Sequence, residues 1–273
     1  AIVIGAGLAG SSAAERLAAR GWTIELIERA DAPAQGASGN LAGVLRPLPS
    51  VDDNRLARLT RAGFLEACRH FASLTAAGLP LRWAQTGVLH LARDDTHAAT
   101  QQRVVDVQQP AADYLRFVDR GEASQLAGWP VTHGGWWFPG GGWVDPASLC
   151  RANIARHAVA IKAHYGCRVA EVERRAGLWR ACAGGGAVIA EAPVLILANA
   201  TDAGRFTVAA HLPLRAARGQ VSHLPAAAGS APDIVVCRLG YVTPAIDGLR
   251  CAGATFSIDD GETALRTADH AEN

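Results

Sequence analysis

The feature that most constrains this protein stands at its start. Ile2-Val3-Ile4 is a short apolar run suited to a buried strand, and Gly5-Ala6-Gly7-Leu8-Ala9-Gly10 follows at once. Ala13, Ala14, Leu17 and Ala18 then share one helical face, with Glu15, Arg16 and Arg20 outside it. Gly21 ends that helix, and residues 23–27 read as a second strand closing on Glu28. Glycines spaced G-x-G-x-x-G between a strand and a helix form the dinucleotide-binding fingerprint. Gly5 makes the tight turn, Gly7 lets the backbone approach a pyrophosphate, and Gly10 lets the helix pack on the strand. The helix N-terminus offers free N–H groups and a positive dipole end to the anion. Glu28 is placed to accept hydrogen bonds from a ribose diol, and its charge disfavours a 2′-phosphate.

This fingerprint alone does not choose between NAD and FAD. A second run of small residues follows the acid, from Arg29 through Ala37, Ser38, Gly39 and Asn40 to Gly43. It reads either as backbone passing close to something large and flat, or as an ordinary flexible loop.

Beyond it, Leu56, Leu59, Leu65, Cys68 and Phe71 recur at helical spacing up to Gly78. Strands are expected at 88–92 and 115–118. Asp119 with Glu122 forms a capping box for a helix ending at Gly128, and Asp145-Pro146 starts another. Residues 167–173, 179–183 and 187–190 read as three short strands joined by tight turns, and residues 194–198 as a strand rejoining the first sheet at Asn199-Ala200. Further strand-like pieces lie at 219–224, 234–237, 241–243 and 251–255. The expected fold class is therefore α/β. It has a Rossmann-like nucleotide domain (parallel sheet plus three-stranded meander) over 1–78 and 143–212, and a discontinuous, mainly β substrate domain over 79–142 and 213–273.

Lys plus Arg is 26 against 25 for Asp plus Glu, a net charge of +1, which excludes a surface coated in positive charge but not a local basic patch. Six scattered cysteines show no ligand spacing, so no metal is expected, and they suit a reducing cytoplasm. No apolar run has membrane-spanning length, so no membrane partner is expected. With no methionine and a first residue already in a strand, the sequence reads as a fragment of a longer protein. The aromatics Trp136, Trp137, Phe138 and Trp143, set among glycines, read either as packed core or as platforms for a flavin or a base.

Taken together, the fingerprint with Glu28, the Gly36-Ala37-Ser38-Gly39-Asn40 loop, the meander and the Ala198-Asn199-Ala200 return resemble the D-amino-acid oxidase-like superfamily of FAD amine oxidases. Four segments are similar, more closely, to the oxidoreductase half of bifunctional bacterial enzymes that modify the tRNA wobble uridine. They are Ala34 to Asn40, Gly135 to Cys150, Ala217-Arg218-Gly219-Gln220-Val221-Ser222-His223, and Gly240-Tyr241-Val242-Thr243-Pro244. The resemblance implies FAD, held by Gly5, Gly7, Leu8, Ala9, Gly10, Glu28, Arg29, Ala37, Ser38, Asn40, Leu41, Ala42, Gly43, Val169, Asn199 and Ala200.

The same resemblance implies oxidation of the C–N bond in the arm of 5-carboxymethylaminomethyl-(2-thio)uridine, releasing glyoxylate, with tRNA as partner and a methyltransferase domain or protein alongside. Neither that domain nor the family's C-terminal flavin-closing segment is found in the sequence. Leu41, Ala42 and Arg46 depart from the polar and aromatic residues expected there. A substrate carboxylate is best held by arginine through a bidentate contact. Arg218 beside Gln220 is the first candidate and Arg46 the second, with Tyr241 and Thr243 as further donors; the alternative for Arg218 is a solvated surface residue. Two other readings stay open: a small-molecule glycine or D-amino-acid oxidase, and a non-catalytic RNA-binding or structural module.

Overall fold

The computed structural model describes residues 1–227 and 230–273. The protein divides into two compact units. One comprises Ala1–Leu41, Ser73–Arg82 and Asp145–Ala216; the other comprises Ala42–Ala72, Trp83–Val144 and Ala217–Asn273.

The first unit is built on a four-stranded, wholly parallel sheet in the order Leu195–Leu197, Ile2–Ile4, Ile24–Ile27, Ile161–His164. Alternation along the first strand creates two layers. Ile2 and Ile4 pack with Ala181, Ala190, Ala192 and Phe206, under the antiparallel meander Glu171–Arg175, Leu178–Cys182, Val188–Ala192. Val3 faces the other way, onto Ala14 and Ala18 of the helix Leu8–Ala18. The first meander turn is a two-residue hairpin with positive φ at Ala176 (49°) and Gly177 (85°), the conformation that suits the strand twist. The edge strand Ile161–His164 has no counterpart in the sequence reading, because only Ile161 of its four residues is buried and the period-2 signal is lost.

The second unit carries a seven-stranded mixed sheet, in the order Ala217–Pro225, Leu249–Ile258, Tyr241–Val242, Val235–Cys237, Val88–Leu91, Gly135–Phe138, Arg116–Val118. A smaller sheet joins Gly43–Leu45 and Trp83–Ala84 to Gly142–Val144. That pairing corrects the expected boundaries: residues 42–72 belong with the second unit rather than with the nucleotide-binding segment 1–78, and the later boundaries fall at Asp145 and Ala217.

The helix Arg120–Ala127 forms as expected, with Asp119 accepting the Glu122 N–H at 2.8 Å and Gly128 in the left-handed conformation. Its capping box is only half closed, because Glu122 pairs with Arg116 at 2.5 Å instead of turning back. The helix Asp95–Gln108 carries no amphipathic signal in the sequence: Gln101 and Val104 are its buried residues, so it lacks an apolar stripe.

Trp136 and Phe138 are core. Trp136 is 7% exposed and its indole N–H donates to the Gln101 carbonyl at 2.9 Å, so it does not offer a free stacking face. Trp137 lies over Gly87, where a Cβ would sit 1.9 Å from the ring. Trp136→Ala is expected to cost about 3–5 kcal/mol of stability, read as a shift of the urea midpoint. A surface stacking platform would change it little.

Candidate cofactor-binding site

In the first unit, the C-terminal ends of the strands Ile2–Ile4, Ile24–Ile27 and Leu195–Leu197 open onto a cavity of about 720 Å³. Parallel sheets bind ligands at this edge, because the turns leaving adjacent strands diverge there. Gly5 makes the turn at φ +101°, and a Cβ on it would lie 2.6 Å from the Ala198 carbonyl oxygen. Gly10 is a packing residue and does not line the cavity; a Cβ there would meet the Gly5 carbonyl oxygen at 1.8 Å.

Gly7, Leu8 and Ala9 line the cavity where the helix Leu8–Ala18 begins, and no acidic side chain stands in that helix's first turn to compete with a bound anion. The Ser38 hydroxyl accepts the Leu8 N–H at 3.1 Å and would stand 2.9 Å from a Cβ on Gly7. Ser38 thus fixes the start of the helix from the small-residue loop, and Ala37 lines the same wall. Glu28 stands at the cavity with both carboxylate oxygens anchored, one by the Ala6 N–H at 2.8 Å and one by the Ala30 N–H at 3.0 Å. Each oxygen keeps acceptor capacity for a hydroxyl.

Arg29, Val169, Asn199 and Ala200 also line the cavity. Asn199 Oδ1 is buried and has no hydrogen-bond partner, so this wall presents an acceptor that calls for a donor. Asn40 and Leu41 do not line it, and Ala42 and Gly43 belong to the second unit. The expected contacts from these four are therefore not gathered at this cavity: the backbone leaves it after the short 3-10 turn Ala37–Gly39.

Sequence reading missed part of the wall. Phe206, Leu212 and Leu214 supply apolar surface, and Asp202 of the turn Ala200–Arg205 pairs with Arg29 at 2.6 Å. A 3-10 turn has no period long enough to read from sequence.

The second unit holds the candidate substrate residues, and it separates them. Arg218 and Tyr241 pair with the same strand from opposite sides, at Ser257 and Gly253 respectively. Four residues along a strand is about 13 Å, and two inter-strand spacings add to it. One small carboxylate cannot reach both. Arg218 ion-pairs with Asp269 and donates to Gln220 at 2.7 Å and to the Ala264 carbonyl at 2.6 Å. Gln220 is tied to Arg266 through its carbonyl at 2.8 Å and its N–H at 2.9 Å. Both act as braces for residues 264–269, neither as a solvated surface group nor as free anchors.

Thr243 is fully buried, donating to the Pro244 carbonyl and accepting the Cys251 N–H, each at 3.0 Å, so it is not a substrate donor. Tyr241 donates to the Ala42 carbonyl at 3.2 Å, and Cys237 stands beside it in register. Arg46 is half-buried against the Cys237 thiol.

His90, opposite Cys237, is pushed down to about 3, chiefly by burial and then by Arg46, His97 and Arg93. An unfolded histidine takes its proton near 6.5, so between that value and about 3 the unfolded state binds more protons. The His90 contribution is present above pH 6.5 and is lost as pH falls toward 3. Urea unfolding of wild type and His90→Gln from pH 7 down to 4 should show a shallower loss in the variant; parallel curves would refute this. Among the described residues no cluster of three or more His, Cys, Asp or Glu side chains could hold a metal, and no helix is long and apolar enough to cross a membrane.

Residues 1–273 match the family described as DAO, FAD dependent oxidoreductase, from end to end. The chain belongs to that family. FAD is therefore its cofactor, and the residues of the cavity fit a dinucleotide: a glycine cradle with no room for Cβ atoms, the doubly anchored Glu28, and the unpartnered Asn199 oxygen.

Two curated members match over the whole length of this sequence. The "tRNA 5-methylaminomethyl-2-thiouridine biosynthesis bifunctional protein MnmC" of Aromatoleum aromaticum (strain DSM 19018 / LMG 30748 / EbN1) is 61% identical, and the protein of that name from Azoarcus sp. (strain BH72) is 58% identical. The chain spans 43% of the length of each. Among solved structures, glycine oxidase from Geobacillus kaustophilus superposes with a TM-score of 0.83, over 99% of this chain and 74% of that one. At 18% identity that likeness is one of fold, the α/β fold of this FAD dependent oxidoreductase.

Proposed function

We propose that the protein is the oxidising part of a tRNA wobble-uridine modification enzyme. It would cleave the arm of 5-carboxymethylaminomethyl-(2-thio)uridine to leave the 5-aminomethyl nucleoside and glyoxylate. The observation that carries this reading is 61% identity, over all of this chain and 43% of its relative, to a bifunctional tRNA-modifying protein, in a molecule whose cavity suits FAD.

Bound FAD supplies the two-electron oxidant for a carbon next to an amine. Overall, the arm loses two electrons and two protons, one proton from its methylene and one from its secondary amine, to form a C=N bond, and water then cleaves that bond to release glyoxylate and the primary amine. The protein's own residues bind and orient. The start of the helix Leu8–Ala18 with Gly7 holds the pyrophosphate, Glu28 the ribose hydroxyls, and Asn199 accepts a cofactor donor. Arg29, Ala37, Ser38, Val169 and Ala200 shape the remaining wall. In the second unit Tyr241 and Arg46 are the residues we assign to the substrate side.

With a net charge of +1 the protein has no general attraction for phosphate, so in this reading tRNA is held by a local arginine cluster or by a methyltransferase partner. A tRNA substrate places the work in the cytoplasm.

Full-length enzyme carrying FAD should convert carboxymethylaminomethyluridine in tRNA to aminomethyluridine, detected by nucleoside mass spectrometry. Efficient turnover of free glycine or sarcosine with the tRNA nucleoside unchanged would instead make it a small-molecule amine oxidase. No turnover of either would point to a non-catalytic module.

A further inference from the structure

The second unit contains a cavity that the proposed oxidation leaves unused. It measures about 150 Å³ and lies between the helices Arg55–Ala76 and Asp95–Gln108, closed by the loop 49–53 and the segment 110–115. A cavity of that size holds one six-membered ring and little more. Contacts within the protein fix its walls. Arg61 grips Asp53 through two N–H groups, at 2.7 and 3.0 Å, and the Asp53 N–H donates to the Ser50 carbonyl at 3.2 Å. Gln108 Nε2 donates to the Val51 carbonyl at 2.7 Å and so fastens the loop to the second helix. Phe64 meets the Tyr114 ring edge-on, with centroids 6.1 Å apart. Ala57, Val104, Pro110 and Leu115 supply apolar surface.

Two polar groups of this lining are not used up by the protein. The hydroxyl of half-buried Tyr114 makes no hydrogen bond among the described residues. With Gln108 Nε2 anchored on Val51, its Oε1 stays available as an acceptor. A donor and an acceptor in an apolar, ring-sized cavity complement the C=O and N–H that stand side by side on a uracil edge. The rim adds charge. Arg58 precedes Arg61 by three residues on one helix, which sets their Cβ atoms about 5–6 Å apart. Arg61 is neutralised by Asp53, whereas Arg58 is exposed and forms no ion pair among the described residues. Asp52 accepts the Asn54 side-chain N–H at 3.2 Å. Arg55, Arg58 and Arg61 against Asp52 and Asp53 leave one positive charge at this end of the helix.

We infer that this cavity takes a pyrimidine nucleotide. The ring fills it, the ring's polar edge meets Tyr114 and Gln108, and Arg58 holds the phosphate. It is a nucleotide site apart from the FAD cavity of the first unit and from Tyr241 and Arg46. Unstacked loop residues of RNA present such rings, and a free nucleotide has the same chemistry. That a tRNA loop supplies the ring rests on the proposed function; the site itself does not.

The test uses the full-length, FAD-loaded enzyme, in which the flavin cavity is filled, and follows uridine 5′-monophosphate by calorimetry. Wild type should bind it saturably, several-fold more tightly than uridine, and more tightly than adenosine 5′-monophosphate, whose second ring overfills the cavity. Tyr114→Phe, which deletes only the hydroxyl, should weaken binding about fivefold. Ala57→Phe, which occupies the cavity, should weaken it about tenfold or more at unchanged FAD content. Arg58→Gln should bring the monophosphate to the level of uridine and leave uridine itself unchanged. No saturable binding by wild type, equal binding of the adenine nucleotide, or wild-type affinity in both Ala57→Phe and Tyr114→Phe would overturn the inference; the last result puts the uridine elsewhere on the protein. Filter binding of tRNA separates the two sources. Weaker tRNA binding by Ala57→Phe and Arg58→Gln makes an RNA loop the occupant, and unchanged tRNA binding makes it a free nucleotide. Should these affinities respond as expected while wobble uridine is not converted, the nucleotide site stands and the proposed function falls.

Discussion

Gly10→Val is expected to abolish FAD retention and to lower the melting temperature. Even a Cβ at this position sits 1.8 Å from the Gly5 carbonyl oxygen and 3.3 Å from the Ala198 side chain, and both belong to the strand ends beneath the helix. The helix Leu8–Ala18 must move away from the sheet, taking with it the amide groups that line the cavity at Leu8 and Ala9. Overpacking of this kind costs about 1–3 kcal/mol, and more where the obstacle is backbone that cannot rotate aside. The measurement is flavin absorbance per mole of purified protein, with thermal unfolding beside it. Full yellow colour and an unchanged melting temperature in Gly10→Val would show that helix and strand are not in this contact.

Glu28→Ala separates binding from folding less cleanly, and the structure says why. The carboxylate not only faces the cavity but also ties Ala6, inside the glycine turn, to Ala30 beyond the second strand. Removing it leaves two N–H donors to find water and removes the ribose acceptor. Hydrogen bonds to charged groups contribute about 1.5–3 kcal/mol each, so FAD affinity should fall on the order of a hundredfold. Stability should drop by about 1–3 kcal/mol at the same time. Glu28→Gln keeps one carbonyl acceptor and should lie between. Fluorescence titration of apoprotein with FAD gives the affinities, and a Glu28→Ala affinity within threefold of wild type would remove Glu28 from the site.

The glycine turn and its acid were legible because their spacing is local: strand, turn, helix and second strand follow within 28 residues, and each step has its own chemical signature. The meander was equally open to reading, since its turns announce themselves at Ala176-Gly177 and Gly184-Gly185-Gly186, although its strands lie a few residues from the expected positions. Asp119 and Asp145 worked as helix caps for the same reason, with partners three residues away.

The substrate-side residues behaved differently. Arg218, Thr243 and Trp136 were chosen for their chemical type, yet each is consumed by a neighbour that is remote in sequence or invisible in it. Asp269 takes Arg218, the Cys251 amide takes Thr243, and the Gln101 carbonyl takes Trp136. The type of a side group states what it is able to bind; the sheet order decides which partner reaches it first. Strand order 217–225, 249–258, 241–242 sets Arg218 far from Tyr241 although their segments read alike, and the pairing of Gly43–Leu45 with Gly142–Val144 draws residues 42–72 into the second unit. Local spacing in the sequence thus carried the fold class and the nucleotide turn. Non-local strand pairing settled where the units divide and which polar groups stay unpartnered, because it brings together residues whose separation in sequence holds no periodic signal.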